Sequence, residues 1–130
     1  MDSSQQVLFF DEIISKVRGV SGVDLIYFID SNNQMIEEYK ISPVENHFEQ
    51  VLNIIKLEPL SDKLSSFFYS LPFHTCTLLN EAGVIVISKI TNPENSYLIV
   101  IAGEKEPVNL LNLIKVCKEI HAKQIPVASE

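Results

Sequence analysis

Apolar residues recur at Val7, Phe10, Ile14 and Val17, a spacing that lines one face of a helix, and Ser3 with Gln6 offers a capping box ahead of them. The pattern predicts a helix from Ser3 to about Arg18, with Leu8 and Phe9 off the stripe. Gly19 is placed to end it with a positive φ, and Gly22 to let the chain turn into a strand. Over residues 23–30, Val23, Leu25, Tyr27 and Ile29 alternate with Asp24, Ile26, Phe28 and Asp30, so apolar groups point both ways. Such a strand belongs in a sheet interior, covered on both faces. A turn at residues 31–33 leads into residues 34–41, where Ile36 is interleaved with Glu38 and Lys40, the more polar pattern of an edge strand.

Ser42, Pro43, Val44 and Glu45 combine an N-cap serine, a proline already at helical φ and a glutamate at N3, and predict that the middle helix starts there. Phe48, Val51, Leu52 and Ile55 form its inner face; Ile54 and Leu57 lie outside it. Pro59 must kink or break the helix, after which Leu60, Leu64, Phe67, Phe68 and Leu71 carry a second stripe to Pro72. Three β-rich runs follow, at residues 73–79, 84–90 and 97–102, linked by turn formers at 80–83 and 92–95; they read as an antiparallel meander. The continuous apolar run at 97–102 places the last strand inside the sheet, beside residues 23–30. A final helix carries Leu110, Leu113, Ile114, Cys117 and Ile120 on one face. The order is α, β, β, α, β, β, β, α, an α+β fold in one domain spanning residues 1–124, with a frayed tail at 125–130.

Composition narrows the partners. Ten Lys and Arg stand against 17 Asp and Glu in 130 residues, a net charge of −7 spread along the chain. Nucleic acid and anionic membrane surfaces both want a basic patch, so neither is expected as a partner. The first residues lack the cationic start and long apolar core of a signal peptide, and no apolar run reaches membrane-span length, so a cytoplasmic protein without membrane insertion is expected. Cys76 and Cys117 lack metal-type spacing and are expected as reduced core thiols.

Candidate chemistry is sparse. A nucleophilic enzyme needs nucleophile, base and orienting group within reach; His74 and Cys76 are expected on opposite faces of their strand, apart from one another. His47 and His121 lie near helix ends, with capping or surface roles. Glu37 and Glu38 face opposite ways, Glu104 and Glu106 suit the start of the last helix, and Arg18 suits the end of the first. Three dispersed histidines do not make a metal site, and no glycine-rich phosphate loop occurs. No catalytic, cofactor-binding or metal-binding residue is assigned, and the chain is expected to be neither an enzyme nor itself a GTPase.

The joint Gly19, Val20, Ser21, Gly22 and Val23, a GVxGV pattern between first helix and first strand, resembles the Roadblock family, named after a dynein light chain. Residues 97–112, YLIVIAGEKEPVNLLN, resemble the family's last strand running into its last helix. The turn at residues 30–33 sits where the family has an Asp and Gly turn, though the glycine is absent here. The resemblance covers about residues 11–122. It implies a five-stranded antiparallel sheet with the middle helix on one face and the two terminal helices on the other. It also implies homodimers or heterodimers formed through the middle helix and third strand, and a role in regulating or tethering small Ras-like GTPases, in a GTPase-recruiting scaffold or in a dynein complex.

Residues 48–71 also carry more apolar surface than one sheet face buries, which favours a dimer independently. Ile54, Leu57, Phe67, Phe68 and Tyr69 are the expected interface, with Thr75 and Thr77 on the neighbouring strand; the alternative is that they fill an ordinary core around Pro59. Two other classes fit part of the pattern. A small acidic dimeric secretion chaperone would place three strands after the first helix, where two are read. A longin or profilin-like trafficking domain would leave the helix leading into GVSGV unexplained.

Overall fold

Strand β1 (Val23–Asp30) is buried along almost its whole length, as apolar side chains on both of its faces require. The computed structural model of the chain describes residues 3–56, 74–90 and 95–124. Around β1 these residues build α1 (Ser3–Arg18), β2 (Met35–Lys40), α2 (Phe48–Ile55), β3 (Thr75–Asn80), β4 (Gly83–Ile90), β5 (Ser96–Ala102) and α3 (Leu110–Gln124). The sheet order is β2-β1-β5-β4-β3, with every neighbouring pair antiparallel. β5 lies beside β1, with Ile26 opposite Val100 and Phe28 opposite Leu98. The second stripe, Pro59 and Leu57 lie outside the described residues.

Two apolar layers sandwich the sheet. On one face Phe10, Ile13, Ile14 and Val17 of α1 and Leu113, Cys117 and Ile120 of α3 cover Ile26, Phe28, Val86, Leu98 and Val100. Phe10 packs on Phe28, their ring centroids 4.4 Å apart. On the other face Val44 and Val51 cover Leu25, Tyr27, Ile29, Ile99 and Ile101. Ile54, expected outside the inner face of α2, is half-buried and packs against this cluster with Phe48, Leu52 and Ile55. The eight residues of α2 present little more than one wet face, held by Glu49, Gln50 and Asn53.

The pattern at the start of β1 is not a simple alternation. Val23 stands opposite Ala102 and Leu25 opposite Ile101, so Asp24 is an extra residue in a β-bulge. The bulge turns Val23 to the α1 and α3 face, away from Leu25, Tyr27 and Ile29. Asp24 itself is only 1% exposed and accepts a hydrogen bond from the Glu104 N–H at 3.0 Å, while its carbonyl accepts from Ile41 and Ser42. A buried carboxylate without such donors would be costly.

The joint before β1 also departs from expectation. Positive φ falls on Gly22, at 92°, and on Gly103, at 76°, whereas Gly19 does not take it up. Gly22 lies against the loop leading to α3: a Cβ there would come within 2.5 Å of the Pro107 carbonyl oxygen, with the Val108 backbone closer still. The Gly22 carbonyl accepts from Gly103 N–H at 2.9 Å and the Ser21 carbonyl from Asn109 N–H at 3.0 Å. In the β1–β2 turn Asn33 supplies the left-handed conformation, at φ 64°, that a glycine would supply more cheaply. Asp30 Oδ1 closes that turn by accepting from the Asn32 and Gln34 N–H groups.

Helix α2 does not begin at Ser42. Residues 41–47 form an irregular arm whose Val44 is buried, and the helix starts at Phe48. The Ser-Pro-Val-Glu signal is spent on this arm because Ile41 and Ser42 bond the bulged Asp24 carbonyl, and Val44 must reach the core. Asn46 then starts the helix, accepting from the Phe48 N–H through Oδ1 at 3.0 Å and donating through Nδ2 to Glu38. His47, the N-cap, is left-handed at φ 52° and makes no side-chain cap. Tyr27 donates to the Asn46 carbonyl at 2.6 Å; burial and the Glu38 carboxylate hold its phenol well above the ordinary range, so it stays a donor.

The sheet's two edges differ. β2 carries Glu37, Glu38 and Lys40 and is interrupted by a bulge at Ile36, since Phe28 faces Glu37 and Ile29 faces Met35. β3 runs in unbroken register against β4 from Thr75 to Asn80 and bears no charged side chain.

Gly22→Ala is expected to destabilise the protein by more than about 2 kcal/mol, from left-handed strain and displacement of the Pro107–Val108 backbone. Gly19→Ala is expected to stay within about 0.5 kcal/mol of the parent. Urea denaturation midpoints of the two variants check the contrast. Cys117 is buried and its thiol pushed up to about 11 by that burial, whereas Cys76 is exposed, contrary to the core position expected for it. A thiol-disulfide reagent should therefore titrate Cys76 in the native protein and Cys117 only after unfolding.

Candidate interaction surface

Among the described residues β3 lies at the sheet's edge, its 75–80 segment pairing with β4 on one side only. Its apolar and polar residues do not separate cleanly by face. Thr75 and Thr77 stand opposite Ser88 and Val86 and so turn to the α1 and α3 side, half-buried, with Thr75 Oγ1 3.0 Å from Ser88 Oγ. Cys76 and Leu78 stand opposite Ile87 and Ile85, on the α2 side, and are exposed. Leu79 is 65% exposed at the strand's end. Thr75 and Thr77 therefore offer a partner their edge backbone more than their side chains.

Leu78 and Leu79 also border a shallow groove of about 350 Å³. Ile85 and Ile101 line it, while His47 and Glu104 mark its polar ends. Apolar walls with a few polar groups at the margins suit the side chains of another protein better than a small charged ligand. Of the seven expected interface residues, Ile54 is half-buried against the core, Thr75 and Thr77 sit on the edge strand of the described sheet, and Leu57, Phe67, Phe68 and Tyr69 lie outside the described residues. Leu78 and Leu79 end a mixed Thr-Cys-Thr-Leu-Leu run that does not mark them as exposed until the strand's place in the sheet is known.

The residues weighed for chemistry are dispersed. Arg18 donates from Nη1 to the Tyr39 hydroxyl at 3.1 Å, tying the end of α1 to β2, and its guanidinium lies 5.9 Å from that ring's centre. Among the described residues no three His, Cys, Asp or Glu side chains converge as metal ligands would, and no helix is long and apolar enough to cross a membrane.

His74 and Cys76 are on opposite faces, though not by strand alternation, which would put residues two apart on one face. β3 begins only at Thr75, and the His74 ring, outside the pleat, stacks on His121 of α3 with centroids 3.7 Å apart and planes 13° from parallel. This pair links residues 47 apart in sequence and carries no local signal.

No family model matches the sequence, and no curated protein matches it in sequence. Solved structures do match in fold. The gliding protein MglB of Thermus thermophilus superposes with a TM-score of 0.60 at 12% identity, covering 88% of this chain and 81% of that one. MglB in a tetrameric arrangement gives 0.62 at 10% identity, covering 93% and 85%. A Roadblock/LC7 domain from Streptomyces avermitilis gives 0.54 at 11% identity, covering 84% and 91%. With the strand order and, among the described residues, one helix against two, these likenesses show that the chain has the Roadblock/LC7 fold.

Proposed function

We propose that the chain is a non-catalytic, cytoplasmic interaction module that dimerises and binds or regulates a small Ras-like GTPase, or serves as a subunit of a GTPase-recruiting scaffold or dynein complex. The observation that carries the reading is the open β3 edge on a Roadblock/LC7-type sheet: uncharged, in unbroken register, and flanked by exposed Leu78 and Leu79. An edge of that kind is a template for another strand unless something covers it. The proposed interface joins Ile54, Leu57, Phe67, Phe68 and Tyr69 of the middle segment to the backbone of Thr75 and Thr77 on β3. The partner copy is the same chain or another of the same fold. The GTPase enters through the likeness of the GVSGV joint and residues 97–112 to the Roadblock family.

A secretion chaperone would carry three strands between the first helix and α2; two stand there, β1 and β2. That count favours the Roadblock-type reading over the chaperone.

Size-exclusion chromatography with light scattering should give twice the 14.7 kDa monomer mass for the isolated chain. Leu79→Glu and Phe68→Glu should each return the monomer while leaving the circular dichroism spectrum unchanged. A parent chain that is monomeric at tens of micromolar would sink the homodimer. Affinity capture from the native host followed by mass spectrometry should recover a Ras-like GTPase; a capture set free of GTPases would remove that half of the proposal.

A further inference from the structure

The stacked rings of His74 and His121 join the start of β3 to α3 through a close contact between two ionisable side chains. His74 is anchored from both ends. Its Nδ1 hydrogen-bonds Thr75 Oγ1, which reaches Ser88 Oγ, and its carbonyl accepts from the Lys89 N–H at 2.7 Å. Moving the His74 ring therefore disturbs the first rung between β3 and β4.

Among the described residues, the ionisable groups that act on His74 are basic. From α3 it faces His121 and, one turn earlier on the same helix, the Lys118 ammonium. From β4 it meets Ser88 through Thr75, while Lys89 alternates with Ser88 and Ile90 and so directs its side chain to the other face. His121 Nδ1 is buried with no hydrogen-bond partner among the described residues.

We propose that the His74–His121 stack is a pH-sensitive clamp, which holds the start of β3 against α3 while the His74 ring is neutral and releases it when that ring is protonated. A proton on the His74 ring, stacked 3.7 Å from His121, would set its charge against the Lys118 ammonium. Burial, then His121, then Lys118 lower the His74 pKa from 6.5, in agreement with the geometry. The sign follows: a histidine with a depressed folded-state pKa stabilises the fold fully above about 6.5 and loses that contribution as the pH falls through its folded value. The clamp is a property of the single chain and stands whether or not β3 is a dimer edge.

Imidazole NMR of the full chain from pH 8 to 4.5 should place the His74 midpoint below 6.5. Hydrogen exchange should show the Lys89 amide losing up to about tenfold in protection for each pH unit between about 6.5 and the folded His74 midpoint. The Ile26 and Val100 amides, in the β1–β5 centre, should keep theirs. The double variant His74→Phe and His121→Phe keeps two stacked rings without a proton to bind, and its Lys89 protection should be independent of pH. A His74 midpoint at or above 6.5 overturns the clamp. So does a protection loss shared equally by β1 and β5, or one that persists unchanged in the double variant.

Discussion

The close approach of Gly22 to Pro107 and Val108 is the constraint on which the two terminal helices depend. α1 must hand the chain to β1 at the point where β5 hands it to α3, and the two crossings occupy adjoining space. Only a residue without a Cβ, held at positive φ, lets both backbones pass within bonding distance. The hydrogen bonds from Gly103 and Asn109 then register one crossing against the other. Because β1 and β5 are also neighbours in the sheet, an error at the joint would shift the most buried ladder in the protein.

Polar groups do comparable work on the other face. The bulge at Asp24 presents a carbonyl to Ile41 and Ser42 and a carboxylate to Glu104, so one residue fastens both the arm before α2 and the loop after β5. At the far end of that arm, Tyr27, Asn46 and Glu38 fix where the helix begins. α2 is short, and its apolar contacts alone would let it slide over a flat sheet. Paired polar anchors give it a single position.

Much of this was legible in the sequence wherever burial and periodicity agree. β1 and β5 could be placed side by side because their apolar residues leave no wet face, and β2 showed its edge position through Glu37, Glu38 and Lys40. Features that depend on distant partners were not legible. The bulge at Asp24 has no composition of its own, and it reassigned Val23 to the opposite face. Ser42 to Glu45 carried every local mark of a helix start, yet tertiary hydrogen bonds to Asp24 and the burial of Val44 outweighed them. The local pattern assigned positive φ to Gly19 and only a turn to Gly22, because the close approach of the loop from β5, which demands it at Gly22, has no local signal. On the candidate surface, the position of Thr75 and Thr77 on a strand could be read from the sequence, whereas the exposure of Leu78 and Leu79 and the stack of His74 on His121 needed the fold to bring them into view.

The contrast between β2 and β3 bears on how many copies could ever join. A strand that is bulged and charged cannot zip to its like, whereas one that is regular and uncharged can. Two sheets meeting β3 to β3 would leave only β2 strands on the outside, and further addition along the ladder would have no template. Growth by such pairing would then end at a closed pair of two-fold symmetry.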